Sequence, residues 1–131
     1  MNYYDDLKAF QAKGIDYDLS ACLEYNPQEG FNLLDIKQVL AVHEGENDEA
    51  NWHWLIKLNN RKVVYLEGGC DYTGWDCQSD ATSIICDSIT EALHNVKDQN
   101  ILIDLKTQLK SNKTKTWHEK MENEMPDLPK I

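Results

Sequence analysis

The sequence predicts an α+β fold in which an antiparallel β-meander of about four strands packs against helices from the N- and C-terminal segments. Four β-rich stretches follow one another in the middle of the chain, and segments with helical spacing of apolar residues flank them on both sides. The chain has 131 residues, of which 41% are hydrophobic, so its length and composition suit one domain with a buried core. We expect a single α+β domain over residues 1–125, residues 126–131 as a C-terminal tail, and helices on one face of the sheet.

Two helices are predicted ahead of the sheet. Residues 3–13 carry apolar side chains at helical spacing, and the following Gly14 suits the end of a helix because glycine adopts left-handed backbone angles freely. A second, shorter helix is predicted over residues 18–25. It ends at Asn26 because a residue that precedes proline disfavours the helical conformation.

Four strands are predicted, at residues 36–43, 52–58, 63–66 and 82–86. The second is the clearest, with Trp52, Trp54, Ile56 and Leu58 on one face and His53, Leu55 and Lys57 on the other. The first is expected to place Ile36, Leu40 and Val42 on one face and Lys37, Val39, Ala41 and His43 on the other. Asn59 and Asn60 tolerate positive φ, so the second and third strands are expected to form a tight hairpin.

Helices are predicted again after the fourth strand. Ser88 and Glu91 fit a capping box that starts the first of them. Residues 101–110 place leucines at helical spacing, and a final amphipathic helix is predicted to end at Pro126. Residues 106–120 are rich in lysine, which is consistent with a solvated helix or with a homodimer in which this segment contacts the acidic loops of a second copy.

Charge and composition limit the classes of function. The chain has 23 acidic and 13 basic residues and a formal net charge of −10, which argues against direct binding of nucleic acid and against docking on anionic lipid. No apolar run is long enough to cross a membrane, and the first residues lack the basic and apolar regions of a secretory signal. A cytoplasmic protein is therefore predicted, and its four cysteines are interpreted as thiols.

The two loops that follow the first and third strands are the candidate functional region, because in an antiparallel meander both leave the same end of the sheet. The first loop carries four carboxylates, and the second, over residues 67–80, combines three glycines and two aromatic residues with four further acids. Loops held by a rigid sheet often carry binding residues. The predicted partner-binding residues are Glu44, Glu46, Asp48, Glu49, Asp71, Tyr72, Trp75, Asp76 and Asp80.

The second loop also contains a specific motif. Residues 65–79 read Tyr-Leu-Glu-Gly-Gly-Cys-Asp-Tyr-Thr-Gly-Trp-Asp-Cys-Gln-Ser, and this run resembles a motif of a small group of uncharacterised bacterial and phage proteins. The resemblance extends over the middle half of the chain, from the first strand through this loop. It implies a bacterial or phage cytosolic origin, and it brings no activity, ligand or mechanism with it.

A zinc site is one alternative use of the cysteines. Its ligands would be Cys70, Cys77 and Cys86, together with His43 or His53, because thiolates and imidazoles suit the tetrahedral preference of zinc. Cys70 and Cys77 lie seven residues apart, whereas the ligand pairs of zinc knuckles are separated by two to four residues. The preferred interpretation is that Cys22 and Cys86 are core residues.

A hard cation is a second alternative, with Asp71, Asp76 and Asp80 as ligands and Glu67 or Glu44 beside them. The regular spacing of an EF-hand loop is missing, and aspartate and glycine are also ordinary turn residues, so turn structure is preferred. Neither a metal nor a cofactor is therefore predicted.

A nucleophilic thiol is a third alternative, drawn from Cys70 or Cys77 with His43 as its base. Carboxylates beside a thiol raise its pKa, which is the wrong direction for a nucleophile, and no third group that would orient the histidine can be identified. The sequence therefore predicts that the protein is not an enzyme.

These observations favour a small acidic protein that binds another macromolecule. The expected partner is a basic protein surface of a nucleic-acid-binding enzyme, which the protein would inhibit as a phage anti-defence protein or the immunity partner of a toxin does. Tyr72 and Trp75 would supply the desolvated contacts of that interface. The alternative is a small-ligand or metal-binding module, with or without enzymatic activity, that uses residues 68–80.

Overall fold

The computed structural model describes residues 6–46, 50–69 and 81–111. Its strands, Ile36–His43 (β1), Trp52–Leu58 (β2), Val63–Gly68 (β3) and Ala81–Cys86 (β4), form one antiparallel sheet in the order β1-β2-β3-β4. The helices Leu7–Ala12 (α1) and Tyr17–Tyr25 (α2) and the short 3-10 helix Leu33–Asp35 precede the sheet, and Ile89–Leu93 (α3) and Gln99–Ser111 (α4) follow it. The predicted α+β meander is confirmed, while the predicted helix that ends at Pro126 and the tail lie outside the described residues.

Side-chain caps set where three of the helices begin. The Asp16 carboxylate accepts from the Leu19 backbone N–H at 2.9 Å, and the Ser88 hydroxyl accepts from the Glu91 N–H at 3.0 Å, as the capping pattern of α3 predicted. Asp98 accepts in the same way from the first amides of α4. The connections before α2, α3 and α4 are therefore fixed locally, and the Asp98 turn lies over one face of the sheet.

Helices cover both faces of the sheet, so the expectation that they lie on one face was wrong. Helices α1 and α2 pack against the side of the sheet that carries Trp52, Trp54, Ile56 and Leu58 of β2, which we call the α1–α2 face. These residues share one core with Phe10, Leu19 and Phe31. Helices α3 and α4 pack against the opposite side of the sheet, which we call the α3–α4 face. There Leu55, Val63 and Tyr65 form a second core with Leu93, Leu105 and Leu109. All seven residues of β2 are buried, because a central strand between two cores has no solvent-facing side.

β1 does not alternate as its sequence suggests. Val39 packs with Ile36 and Val42 against the α1–α2 core, while Leu40 and Ala41 both belong to the α3–α4 core, so the predicted faces of Val39 and Leu40 were exchanged. The pairing of β1 with β2 is irregular at two places, between Ile36 and Gln38 and between Val39 and Ala41. Each bulge inserts an extra residue and reverses the side on which the following residues point.

The outer edge of β1 is occupied by side-chain and backbone groups from outside the sheet. Gln108 of α4 accepts from the Val42 N–H at 3.0 Å and donates to the Val42 carbonyl at 2.7 Å, so one amide side chain takes the place of a neighbouring strand. The Val39 N–H donates to the Lys13 carbonyl at 2.7 Å. These bonds hold α4 against the end of β1 and thereby fix the position of Asp104, one turn before Gln108.

The β2–β3 connection is a tight turn, but its positive φ is not at an asparagine. Residues 59–62 separate the strands, the Leu58 N–H donates to the Lys62 carbonyl at 2.9 Å, and Arg61 has φ 74°. Asn59 is used differently, since its N–H donates to the Asp35 carbonyl at 2.8 Å and ties the turn to the 3-10 helix. This end of the sheet is therefore closed by short, bonded connections.

Within residues 6–46, 50–69 and 81–111, no helix combines the length and apolar character needed to span a bilayer. The longest, α4, has 13 residues and carries charged side chains along its length.

Candidate functional site

The loops after β1 and β3 leave the same end of the sheet, as the meander predicted. Gly68, the last residue of β3, pairs with Trp52, the first residue of β2, and with Ala81, the first residue of β4. His43, the last residue of β1, pairs with His53. We call this end of the sheet, with the two loops that leave it, the acidic end.

Two of the predicted partner-binding residues are within the described chain. Glu44 and Glu46 are exposed and follow β1 directly, at the position that the topology requires. The other seven lie outside the described residues: Asp48, Glu49, Asp71, Tyr72, Trp75, Asp76 and Asp80. The scaffold that carries both loops is therefore established, and the arrangement of the seven stays a prediction.

Gly45 lets the first loop turn back on β2. A Cβ atom at this position would lie 2.6 Å from the backbone carbon of Asn51 and 2.7 Å from Cε3 of Trp52, closer than side chains tolerate. The Glu46 N–H donates to the Ala50 carbonyl at 2.9 Å, which closes the loop beside that contact. The exposed carboxylates on either side of Gly45 are thus attached to a tightly packed stem.

A row of polar side chains crosses the sheet at the acidic end. His43, His53, Glu67 and Thr82 are direct neighbours on β1 to β4. His53 and Glu67 lie two residues from Leu55 and Tyr65 of the α3–α4 core, so the row is on the α3–α4 face. From the sequence alone, the two histidines were considered only as zinc ligands or, for His43, as a base for a loop cysteine. The row could not be seen there because it depends on which residues pair across neighbouring strands. The available signal was a polar residue at the loop end of each strand.

His43 is held by α4. Its Nδ1 lies 2.8 Å from Oδ2 of Asp104, and the same oxygen accepts from the Gln108 amide at 3.2 Å. Asp104 and Gln108 are one helical turn apart, so both reach the end of β1 from one side of the helix. These contacts tie the first strand of the row to α4.

His53 is the buried member of the row, with 8% of its surface exposed. Its Nδ1 is 2.7 Å from the Tyr65 hydroxyl, and the two rings stack with centroids 5.9 Å apart and an interplanar angle of 13°. Burial lowers the pKa of His53 below 6.5, with the nearby His43 acting in the same direction against Glu67 and Asp98. Burial likewise raises the pKa of Tyr65 to about 12, so this pair is neutral at pH 7.

A cleft opens over His53 between the sheet and the connection from α3 to α4. Its volume is about 550 Å³, and it is lined by Tyr65, Glu67 and Ile84 from the sheet and by Asn95, Asp98 and Ile101 from the helical side. The volume falls in the range of small-molecule sites. We call it the His53 cleft.

The described cysteines do not belong to this site. Cys22 and Cys86 are free and buried, one in each core, as the sequence predicted. Cys86 lies four residues along β4 from Thr82, about 13 Å at the rise of a strand, so it is remote from His43 and His53. The zinc alternative that combined Cys86 with either histidine is therefore wrong. Among the described residues, no three histidine, cysteine, aspartate or glutamate side chains are arranged to hold a metal ion.

Comparison with known proteins gives no family. No protein-family model matches the chain, and neither the curated proteins nor the solved structures include a match.

Proposed function

We propose that the protein binds a basic surface of another protein through the acidic end, and that its target is a nucleic-acid-binding enzyme that it inhibits. The observation that carries the proposal is that both long loops leave the sheet side by side. Eight of the 23 acidic residues lie in residues 44–49 and 67–80, and these ranges contain no lysine or arginine. Topology therefore anchors both of these acidic segments at one end of the sheet.

The charge of the acidic end suits fast association with a positively charged partner. Opposite charges steer the encounter and raise the association rate, and salt weakens this effect because it screens exposed charges. Glu44 and Glu46 are exposed and so available for such steering. A surface that binds nucleic acid is basic, and an acidic protein that covers it blocks the access of the substrate.

The scaffold supports the proposal because hydrogen bonds and close packing hold it where the loops begin. The Gly45 contact, the Gln108 bonds to β1 and the His43–Asp104 pair all hold the strands at this end. Rigid supports reduce the conformational entropy that a loop loses on binding.

The test is affinity capture from a bacterial lysate with the full chain as bait. The acidic-end variant carries Asp71→Asn, Trp75→Ala and Asp76→Asn, and the control variant carries Glu24→Gln, Tyr25→Ala and Glu29→Gln at exposed positions around the end of α2. Both lose two carboxylates and one aromatic side chain. We expect the wild type and the control to retain one nucleic-acid-binding protein that the acidic-end variant does not, and retention to fall as salt is raised. Identical retention by all three chains would refute the proposal.

A further inference from the structure

The His53 cleft lies beside the acidic end and shares Glu67 with it. Its floor is formed by the sheet and its rim by residues 95–98 and the start of α4. It is therefore built from ordered elements, and what it binds can be deduced from the polar atoms that line it.

The floor of the cleft contains a polar side chain that is more than nine-tenths buried. His53 uses Nδ1 for Tyr65, and Nε2 has no hydrogen-bond partner within the described part of the chain. An imidazole nitrogen left unpaired next to a cavity is expected to meet a ligand or water. His53 is also held neutral by burial, because burial lowers its pKa, so the floor presents no positive charge.

Three side chains around the cleft each use one polar atom internally. Oε2 of Glu67 accepts from the Asn51 amide at 2.7 Å. Oδ1 of Asp98 accepts from the Asn100 N–H at 2.8 Å as it caps α4. Nδ2 of Asn95 donates to the Glu91 carbonyl at 3.0 Å.

Each of these side chains keeps an oxygen for a ligand. Oε1 of Glu67, Oδ2 of Asp98 and Oδ1 of Asn95 have no partner among the residues that the structure describes. All three are acceptors, and two belong to carboxylates, so the complementary ligand is a donor-rich cation. Lys97, the basic residue of the lining, is exposed on the rim, as Asp98 is, so the lining carries two carboxylates and one ammonium group.

Apolar side chains occupy the remaining walls. Ile84 of β4 and Val96 and Ile101 on the helical side line the cleft. Such walls pack against the aliphatic stem of a ligand while its charged group reaches the acceptors.

We propose that the His53 cleft binds an ammonium or guanidinium group carried on a short aliphatic stem. An anion would face Glu67 and Asp98, and a neutral ligand would leave their charge uncompensated. The same chemistry is offered by a lysine or arginine side chain of a partner protein and by a free aliphatic diamine. The first source rests on the proposed function, and the second does not.

The test titrates the full chain with three compounds and follows its backbone amides by NMR. N-acetyl-arginine methylamide represents a partner's side chain, 1,4-diaminobutane represents a free amine, and N-acetyl-citrulline methylamide is the uncharged match of the first. We expect saturable shifts of residues 53, 67 and 95–98 with at least one cation at millimolar concentrations and none with the citrulline compound. Tighter binding of the arginine compound would assign the cleft to a partner's side chain, and tighter binding of the diamine to a free ligand.

Matched variants identify the acceptors. Glu67→Gln keeps an oxygen for Asn51 and removes the charge, and Asp98→Asn keeps an oxygen that caps α4. Each is expected to weaken cation binding about tenfold, since a charge-assisted hydrogen bond is lost. Glu24→Gln, an exposed site on α2, should leave the affinity unchanged.

The outcomes separate this inference from the proposed function. No saturable shift with either cation, equal binding of the citrulline compound, or unchanged affinity in both cleft variants would overturn the cleft assignment. None of these measurements uses the captured partner, so loss of partner binding with intact cation binding, or the reverse, refutes only one of the two.

Discussion

The two faces of the sheet are both covered by helices, yet they present different chemistry to those helices. The α1–α2 face carries Trp52, Trp54, Ile56 and Leu58 from β2, all of them apolar and buried. The α3–α4 face carries Leu55 between His53 and Lys57, and both polar residues are buried as well. Burying polar groups costs free energy unless they are bonded, and in the row His53 is bonded to Tyr65 and Glu67 to Asn51.

The difference distinguishes the two faces by how completely they are packed and by which of them carries the proposed binding cleft. The α1–α2 core takes no buried charged residue from the sheet, and an apolar groove lined by Leu23, Phe31 and Leu34 opens beside it. Helices α3 and α4 cover only part of the α3–α4 face. The reason is that α3 has only five residues and the chain then turns at Asp98 before α4 begins. The uncovered part is the His53 cleft, next to the end where both loops leave. Function is expected where packing is incomplete and polar.

The largest expected effect is on the α1–α2 face. Trp54 is 1% exposed, and Trp54→Ala should lower the free energy of unfolding by about 4 kcal/mol because it leaves a large cavity. Ile84→Ala, at a side chain that is 46% exposed beside the cleft, should cost about 1 kcal/mol or less. Urea denaturation followed by circular dichroism measures both, and Trp54→Phe provides a value if the alanine variant does not fold. Equal losses of unfolding free energy at Trp54 and Ile84 would show that the sheet is packed no more closely at Trp54 than beside the cleft.

The next effect concerns the place where the acidic end is attached to the α1–α2 core. Gly45→Ala would push a methyl group into the Asn51 backbone and the Trp52 ring, and we expect it to cost about 2 kcal/mol of unfolding free energy. Glu44→Ala, at the exposed neighbour, should change stability by less than about 0.5 kcal/mol. A stability of Gly45→Ala equal to that of the wild type would contradict the close approach of the loop to β2.

A smaller effect is expected at the polar row. Tyr65→Phe removes the hydroxyl that bonds Nδ1 of His53 and should lower the free energy of unfolding by about 1 kcal/mol. A double-mutant cycle with His53→Leu isolates this bond, because the cost of Tyr65→Phe should disappear when the imidazole is absent. Additive costs would show that the 2.7 Å contact does not stabilise the fold.

The smallest effect is a pH dependence that belongs to the α3–α4 face alone. Burial lowers the folded-state pKa of His53 below 6.5, so the unfolded chain takes up this proton first as the pH falls. Stability should therefore decrease as the pH drops below about 6.5 and stop changing on this account below the folded pKa. Urea denaturation across this range should show that the stability of His53→Gln changes less with pH than that of the wild type. If the stability of His53→Gln changed with pH as much as that of the wild type, protonation of His53 would not be the cause of the pH dependence.

The sequence predicted the elements better than their faces. The bounds Trp52–Leu58 and Ile36–His43 agree with the predicted strands, because alternation and β-branched residues report local extended structure. The sides of Val39 and Leu40 were exchanged because a bulge is set by pairing with a neighbouring strand. The helices after β4 were predicted, but their position on the second face was not, because Leu55 is the one apolar residue on that side of β2.

The candidate site was predictable only in part. That the loops share one end follows from strand order, which the alternating segments supplied. The row of His43, His53 and Glu67 depends on register, and a shift of one residue between strands would have placed them on opposite faces. The cleft depends in addition on where Asp98 starts α4, a position that the predicted helix over residues 101–110 did not include.

The most direct test of the central claim, that binding belongs to the acidic end and the α3–α4 face, is an NMR titration of the full chain with an oligoarginine peptide. The account predicts that shift changes concentrate at residues 43–46, 50–53, 67–69 and 95–98 and diminish as salt is raised. Changes spread over exposed acids elsewhere, such as Glu24 and Glu29, or centred on the apolar groove at Leu23, Phe31 and Leu34, would contradict it.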